Sequence, residues 1–252
     1  MLRTIDATAC SNPWRHHSEA VALLCAGLFA VALAAPVMPG APIVLLAACG
    51  LCMLGARVSA RAYLRALAVP LGFLLIGAFG VVLSVRLDHG FHFAYSAEGF
   101  RTAWHSVLRA WAASAVMLLF AFTVPIPQLI ALLRRLRTPE ALLDLMLLTY
   151  RTLFVLDRNR AALLLSQRNR LGYRNARTAL RSAAQAAAAL FVRALVQSIR
   201  LERGLGARGY QGRLVVLMPP SATRAPHLAL AFAFPALLGA IAWFCATRLG
   251  MG

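Results

Sequence analysis

Ala66-Leu67-Ala68-Val69-Pro70-Leu71-Gly72-Phe73-Leu74-Leu75-Ile76-Gly77-Ala78-Phe79-Gly80-Val81-Val82-Leu83-Ser84-Val85 runs for twenty residues without a charge. Coiled as a helix, such a run is about 30 Å long, the thickness of the hydrocarbon core of a bilayer. It predicts a transmembrane helix, and the rest of the chain agrees. Of the 252 residues, 61% are hydrophobic and 13% charged. A soluble domain is about half apolar and about a quarter charged. The fold class predicted is therefore an all-α polytopic membrane protein.

Working toward the N-terminus, Arg57, Arg61 and Arg65 form a brief basic connection. Before it come two apolar segments, Ala20 to Ala35 and Ile43 to Ala56, separated by an uncharged turn, Pro36-Val37-Met38-Pro39-Gly40-Ala41-Pro42. Both fall below the roughly 20 residues that cross hydrocarbon upright, so flanking residues are expected to lengthen them. Residues 1 to 19 are a polar lead-in with Asp6 and His16-His17 and no evident cleavable signal, so the first apolar run is expected to remain as a span. Toward the C-terminus, residues 86 to 105 read as a polar loop carrying Asp88, His89, His92, Glu98, Arg101 and His105. Ser106 to Val124 is a fourth span, with Arg109 near one end where it can snorkel, and Pro125 and Pro127 end it. His227 to Thr247, containing Pro235, is the fifth. Three regions follow: a four-span membrane part over 1–127, a polar, basic region over 128–218, and a C-terminal span within 219–252.

All 26 basic residues are arginine, and lysine is absent. A P-loop and a pyridoxal site each need a lysine, so neither can exist here, and any ATP hydrolysis must belong to another chain. The net charge of +18 is concentrated: residues 134 to 213 hold sixteen arginines against Glu140, Asp144, Asp157 and Glu202, a net +12. Five spans put this block and the 57–65 connection on one side of the membrane, which the positive-inside tendency makes the cytoplasm. The N-terminus is then cytoplasmic and the C-terminus outside.

Within the block the period is helical. Ala187, Phe191, Leu195 and Ile199 recur every four residues as one apolar stripe. A charge every few residues makes 141–156 a poor span, since each costs about 2.5–3.5 kcal/mol at mid-bilayer on insertion scales. Three amphipathic helices are expected, near 139–149, 151–171 and 179–208, with apolar faces packed on each other and on the spans. Two of them end alike. Ser166-Gln167-Arg168-Asn169-Arg170-Leu171-Gly172-Tyr173 and Gly204-Leu205-Gly206-Ala207-Arg208-Gly209-Tyr210 each bring an arginine to a glycine close to a tyrosine. Arginine at a helix C-terminus complements the macrodipole, and glycine just beyond permits a left-handed cap. The result is a guanidinium fork at a helix tip, suited to gripping carboxylates on another surface.

These features resemble the transmembrane T component of energy-coupling-factor (ECF) transporters, in the cobalt-type CbiQ family. Asn12-Pro13-Trp14-Arg15 looks like that family's opening, and Arg65 to Leu83 like its third span. Thr123-Val124-Pro125-Ile126-Pro127, Leu132 to Tyr150 and Arg151-Thr152-Leu153-Phe154-Val155-Leu156 look like its approach to the coupling helices. The resemblance implies two coupling helices, each ending in a three-residue motif centred on arginine that docks on one of two ATPase subunits. Ala207, Arg208 and Gly209 carry over as the second motif, followed by Tyr210. Asn169, Arg170 and Leu171 carry over as the first, flanked by Arg168, Gly172 and Tyr173. Its neighbours are Asn and Leu rather than Ala and Gly, so Arg168 stays open as the alternative first arginine. The resemblance also implies a bacterial inner-membrane importer subunit that is not itself an enzyme. ATP and magnesium would sit on the partner ATPases, cobalt or nickel would be captured by a separate membrane subunit, and no cofactor, metal or nucleic acid would be held by this chain.

Other readings weigh less. Cys49-Gly50-Leu51-Cys52 is a CxxC, but it lies mid-span without a second pair, and free cysteine packs as a small hydrophobe. His89-Gly90-Phe91-His92 reads as a polar loop before it reads as a metal site. No HExxH or GxSxG occurs, against a membrane enzyme. A coupling subunit for another cargo such as a vitamin, or an arginine-rich scaffold on anionic lipid or RNA, are the alternatives; few aromatics interleave the arginines, against single-strand stacking.

Overall fold

The computed structural model describes residues 2–86, 92–95, 97–210 and 225–249. They divide into two compact units, one within Met1–Leu129 and Pro219–Gly252, the other within Ile130–Met218.

The first unit is a helix bundle. An N-terminal helix α1 (Leu2–Ser11) and a 3-10 turn (Pro13–His17) precede α2 (Ser18–Ala34). Next come α3 (Val37–Gly50), which runs into a π turn (Leu51–Gly55), and α4 (Ala60–Val82). A short antiparallel hairpin, β1 (Leu83–Arg86) with β2 (His92–Tyr95), leads to α5 (Ala97–Thr123); α9 (Ala225–Leu249) completes the unit. The architecture is all-α apart from this hairpin. The two short apolar segments are lengthened as hydrocarbon thickness requires, into continuous helical stretches Pro13–Ala34 and Val37–Gly55.

Three boundaries differ from expectation. The turn placed at 36–42 is mostly helical: α3 starts at Val37 and is interrupted at Met38 (φ −108°, ψ 121°), where the Met38–Pro39 peptide is cis. Proline costs little in a first turn, where its missing N–H has no partner anyway. The loop placed at 86–105 is partly β1–β2 and partly α5, which carries Glu98, Arg101 and His105; Asp88 and His89 lie outside the described residues. The span placed at 66–85 starts six residues earlier and yields to β1 at Leu83.

The core seals at one end around the Asn12-Pro13-Trp14 turn. Asn12 is 4% exposed; its Oδ1 accepts from the Trp14 N–H (2.9 Å) and its Nδ2 donates to the Phe122 carbonyl (3.4 Å). The Trp14 ring lies so close to Gly55 that any side chain there would overlap it. Tyr63, fully buried, donates to the Ala115 carbonyl (2.8 Å), and Trp111 Nε1 donates to the Leu67 carbonyl (3.3 Å), which sets α4 antiparallel to α5. Arg109, expected near one end of its span, lies at the middle of the longer α5, its Nη2 donating to the Ala35 carbonyl (3.2 Å) at the end of α2. Val69, Phe73, Ile76 and Phe79 of α4 face outward, an apolar surface suited to lipid.

Helices α2 and α9 are parallel neighbours. His17 stacks on His227 with ring centroids 4.5 Å apart. Further along, a Cβ on Gly27 would come within 2.8 Å of Pro235, and one on Gly239 within 3.3 Å of Val31. This pairing fixes the parity of the chain. Among the described residues six helices are long and apolar enough to cross a membrane, the five expected and Ala176–Gly206. With α2 and α9 parallel, the chain between the end of α5 and the start of α9 leaves and re-enters the bundle at the same end. It crosses an even number of times, so a single helix within it cannot cross alone. Helix Ala176–Gly206 also carries Arg177, Arg181, Arg193, Arg200 and Arg203, unfavourable in hydrocarbon. Five helices cross.

In a chain stripped of its five native cysteines, single cysteines at positions 6 and 225 should react with an impermeant maleimide from one side of the membrane, and one at 249 from the opposite side. Labelling of 6 and 249 from the same side would reveal a sixth crossing.

Candidate functional site

The basic block folds as two long helices after the short amphipathic α6 (Ile126–Arg135). The first, α7 (Glu140–Asn169), starts behind Pro139, with Glu140 in its first turn and Arg168 in its last, both matched to the helix dipole. It runs unbroken for 30 residues, so the two helices expected at 139–149 and 151–171 are one. No glycine or proline interrupts 140–169, and spaced charges do not break a helix whose charged side chains reach water. The second, α8 (Ala176–Gly206), is opened by Thr178, whose Oγ1 accepts from the Asn175 N–H at 3.0 Å.

Both helices end in the same backbone motif. At α7 the Leu171 N–H donates to the Arg168 carbonyl (3.0 Å) and the Gly172 N–H to the Gln167 carbonyl (2.9 Å). At α8 the Gly209 N–H donates to the Gly206 carbonyl (3.1 Å) and the Tyr210 N–H to the Leu205 carbonyl (3.1 Å). These are paired 5→2 and 6→1 bonds, a Schellman closure, with the left-handed residue at Leu171 (φ 57°) and Gly209 (φ 72°). Arg170 and Arg208 each directly precede that residue, so the backbone equates Arg170, and not Arg168, with Arg208. Arg168 corresponds to Gly206, Asn169 to Ala207, and Gly172 to Tyr210. Arg170 and Arg208 are both exposed.

The expectation that glycine supplies the left-handed cap therefore fails at the first motif. Leucine takes that role, at about 1–2 kcal/mol of steric cost, and Gly172 serves a different purpose. A Cβ on Gly172 would overlap Ser182 Oγ, and that hydroxyl donates to the Gly172 carbonyl at 3.0 Å. Gly172 is there for close approach of the two helices.

Helices α7 and α8 form an antiparallel hairpin. Gly172 meets Ser182 at the turn, and at the far end the Tyr210 hydroxyl donates to Asp144 Oδ2 (3.1 Å). Between them Leu148, Thr152 and Leu156 face Ala194, Gln197 and Leu201 across a cavity of about 250 Å³. The expected stripe does not make this contact: Phe191, Leu195 and Ile199 stay exposed. Since Arg170 is at the turn and Arg208 beside Asp144, the two arginines lie at opposite ends, about 40 Å apart at 1.5 Å per residue of α7. Asp144 itself is only 4% exposed. Desolvation, and then the carboxylate that accepts its hydrogen bond, hold the Tyr210 hydroxyl above the usual phenol range, so it stays a donor at neutral pH. Tyr173, the other tyrosine of the sequence pattern, is exposed and one position out of register with Tyr210.

Nothing in the sequence signals the Asp144–Tyr210 contact, whose partners are 66 positions apart. Cys49 lies at the end of α3 and Cys52, fully buried, in the π turn, both as free thiols. Among the described residues no group of three or more His, Cys, Asp or Glu is placed to hold a metal ion.

Comparison with known proteins gives the family of the chain. The family described as CbiQ, cobalt transport protein, matches residues 11–218. The chain is similar to the cobalt transport protein CbiQ of Rhodobacter capsulatus, 38% identical over 86% of this chain and 88% of that protein. It is 30% identical to the cobalt transport protein CbiQ of Salmonella typhimurium, over 82% of this chain and 97% of that one. A fused cobalt transport protein CbiMQ of Methanocorpusculum labreanum is 29% identical over 62% of this chain, and the match covers 28% of that longer protein.

Two substitutions at the first motif should act in opposite directions. Leu171→Gly should stabilise the hairpin end by about 1 kcal/mol by relieving the left-handed leucine. Gly172→Ala should destabilise it by about 1–3 kcal/mol by overpacking against Ser182. Thermal unfolding of the purified protein with amide exchange at residues 167–182 reads both, and equal effects would refute the separate roles.

Proposed function

The chain belongs to the CbiQ cobalt transport protein family, and on that premise we propose that it is the energy-coupling T subunit of an ECF importer for cobalt or nickel. Multi-pass and membrane-embedded, it links two ATPase subunits to a separate membrane subunit that captures the ion. ATP and magnesium bind to the ATPases, and this chain performs no chemistry of its own.

The observation that carries this reading is the repetition of one helix ending at both ends of one hairpin. Two independent segments converge on an exposed arginine before a left-handed residue, with no shared sequence beyond that pattern. A separation of about 40 Å suits two sockets on two protein subunits and is too wide for one. Arginine is the apt residue, because its planar fork holds a carboxylate in a fixed orientation and transmits direction as well as attraction. The helix between the tips is stiff, so movement of either socket displaces the whole hairpin. The exposed stripe Phe191, Leu195 and Ile199 is an apolar face offered to the ion-capturing subunit. The fused CbiMQ relative supports a partnership of this kind, since there a CbiQ-like segment belongs to one longer cobalt transport chain. The N-terminus and the hairpin are assigned to the cytoplasm, where the arginines meet the positive-inside tendency.

Arg208→Ala and Arg170→Ala should each lower cobalt uptake by co-expressing cells roughly 30-fold or more, the scale for truncating one partner of a buried charge pair. Membrane insertion should be unchanged. Arg208→Lys should restore only part of the activity, because a point charge does not replace a bidentate fork. Normal uptake by both alanine variants would overturn the docking role.

A further inference from the structure

The residue two beyond each motif arginine is fastened to the opposite helix. At the turn, the Gly172 carbonyl accepts from Ser182 of α8; at the far end, Tyr210 donates to Asp144 of α7. The chemistry and the donor–acceptor direction differ, but the position in the closure is the same, and each tie reaches the opposite helix. Such a coincidence is not required to end a helix, since the Schellman bonds already do that.

Asp144 is the costlier of the two devices. A carboxylate that is 4% exposed is unfavourable unless it is bonded. An apolar side chain there would carry no such cost. The far tip also has more need of a tie than the turn. The short link of residues 170–175 joins Arg170 to helices on both sides, whereas the next described element after Tyr210 is α9, outside the hairpin. A flexible tip would spend binding energy on its own ordering each time it docks.

We propose that Asp144 and Tyr210 are positioning residues for the second arginine motif: the buried carboxylate near the root of α7 holds the phenol that follows Arg208-Gly209 and so fixes the direction in which the Arg208 guanidinium is presented. The proposal rests on the coupling role above for its consequence, though the tie itself does not depend on that role. Asp144 and Tyr210 touch no partner in this assignment; they act through Arg208.

The test uses the full-length chain in nanodiscs, with Tyr210→Phe as the mild variant and Asp144→Asn as the second. The amide protons of Gly209 and Tyr210 are held by the closure at α8, and those of Leu171 and Gly172 by the equivalent closure at α7. Both variants should speed exchange at residues 209–210 by about tenfold, the scale for losing a hydrogen bond to a charged group, and leave residues 171–172 unchanged. Affinity for the co-expressed ATPase pair should fall about tenfold by the same loss of order. In an Arg208→Ala background Tyr210→Phe should weaken it no further. Unchanged exchange at 209–210, or an equal rise at both closures, would overturn the proposal, as would faster exchange with unaltered ATPase affinity in a protein whose Arg208→Ala variant binds poorly. If Arg208→Ala itself binds the ATPases normally, it is the coupling reading that fails, and selective loosening of 209–210 would still establish the tie.

Discussion

Parallel packing of α2 and α9 is the constraint on which the rest of the molecule depends. Small residues make it possible: Gly27 leaves room for Pro235 and Gly239 for Val31. Once these two helices run the same way, the chain leaves the bundle after α5 and re-enters it at α9 from the same end. It can then cross a bilayer only an even number of times, which works against a lone crossing by an arginine-bearing helix in between. Each arginine in hydrocarbon would carry an insertion cost of several kcal/mol. A helix as apolar as Ala176–Gly206 would otherwise be an ambiguous element, free by length to insert.

How much of this was legible in the sequence follows from what each feature depends on. Spans are a matter of local composition, so the twenty uncharged residues from Ala66 to Val85 identified theirs with little context. Boundaries proved harder, because prolines at 36–42 signal a turn and a helix start equally well. The break expected near residue 150 has no glycine or proline behind it, and α7 runs through it without interruption. The arginine tips were visible because a helix ending has a short-range signature. The role of each glycine was not: Leu171 takes the left-handed position with no sequence cue, and Gly172 answers to Ser182, ten residues away. Contacts such as Asn12 with Phe122 and Asp144 with Tyr210 exist only once the chain has folded back, and no local pattern encodes them.

The composition narrows the chemistry as firmly as the fold does. A chain without lysine has no ammonium to lose its proton on burial, so its basic groups stay charged throughout any change of environment. In the proposed role, where two partners are held through a change of shape, constant charge is an advantage. The two closures add a directional element, since a guanidinium before a left-handed residue leaves the helix at a set angle. In the proposed role these properties together make contacts that persist while the assembly changes shape.

The cavity between Leu148, Thr152 and Leu156 on one helix and Ala194, Gln197 and Leu201 on the other has a mechanical meaning. A pair of rods clamped at both extremities and hollow at the centre resists shear and sliding, yet bows outward with little resistance. Elastic deformation would then concentrate at mid-length, away from Arg170 and Arg208, and the two tips would keep their orientation relative to the clamps. Such a hairpin would be compliant in its waist and rigid at its ends.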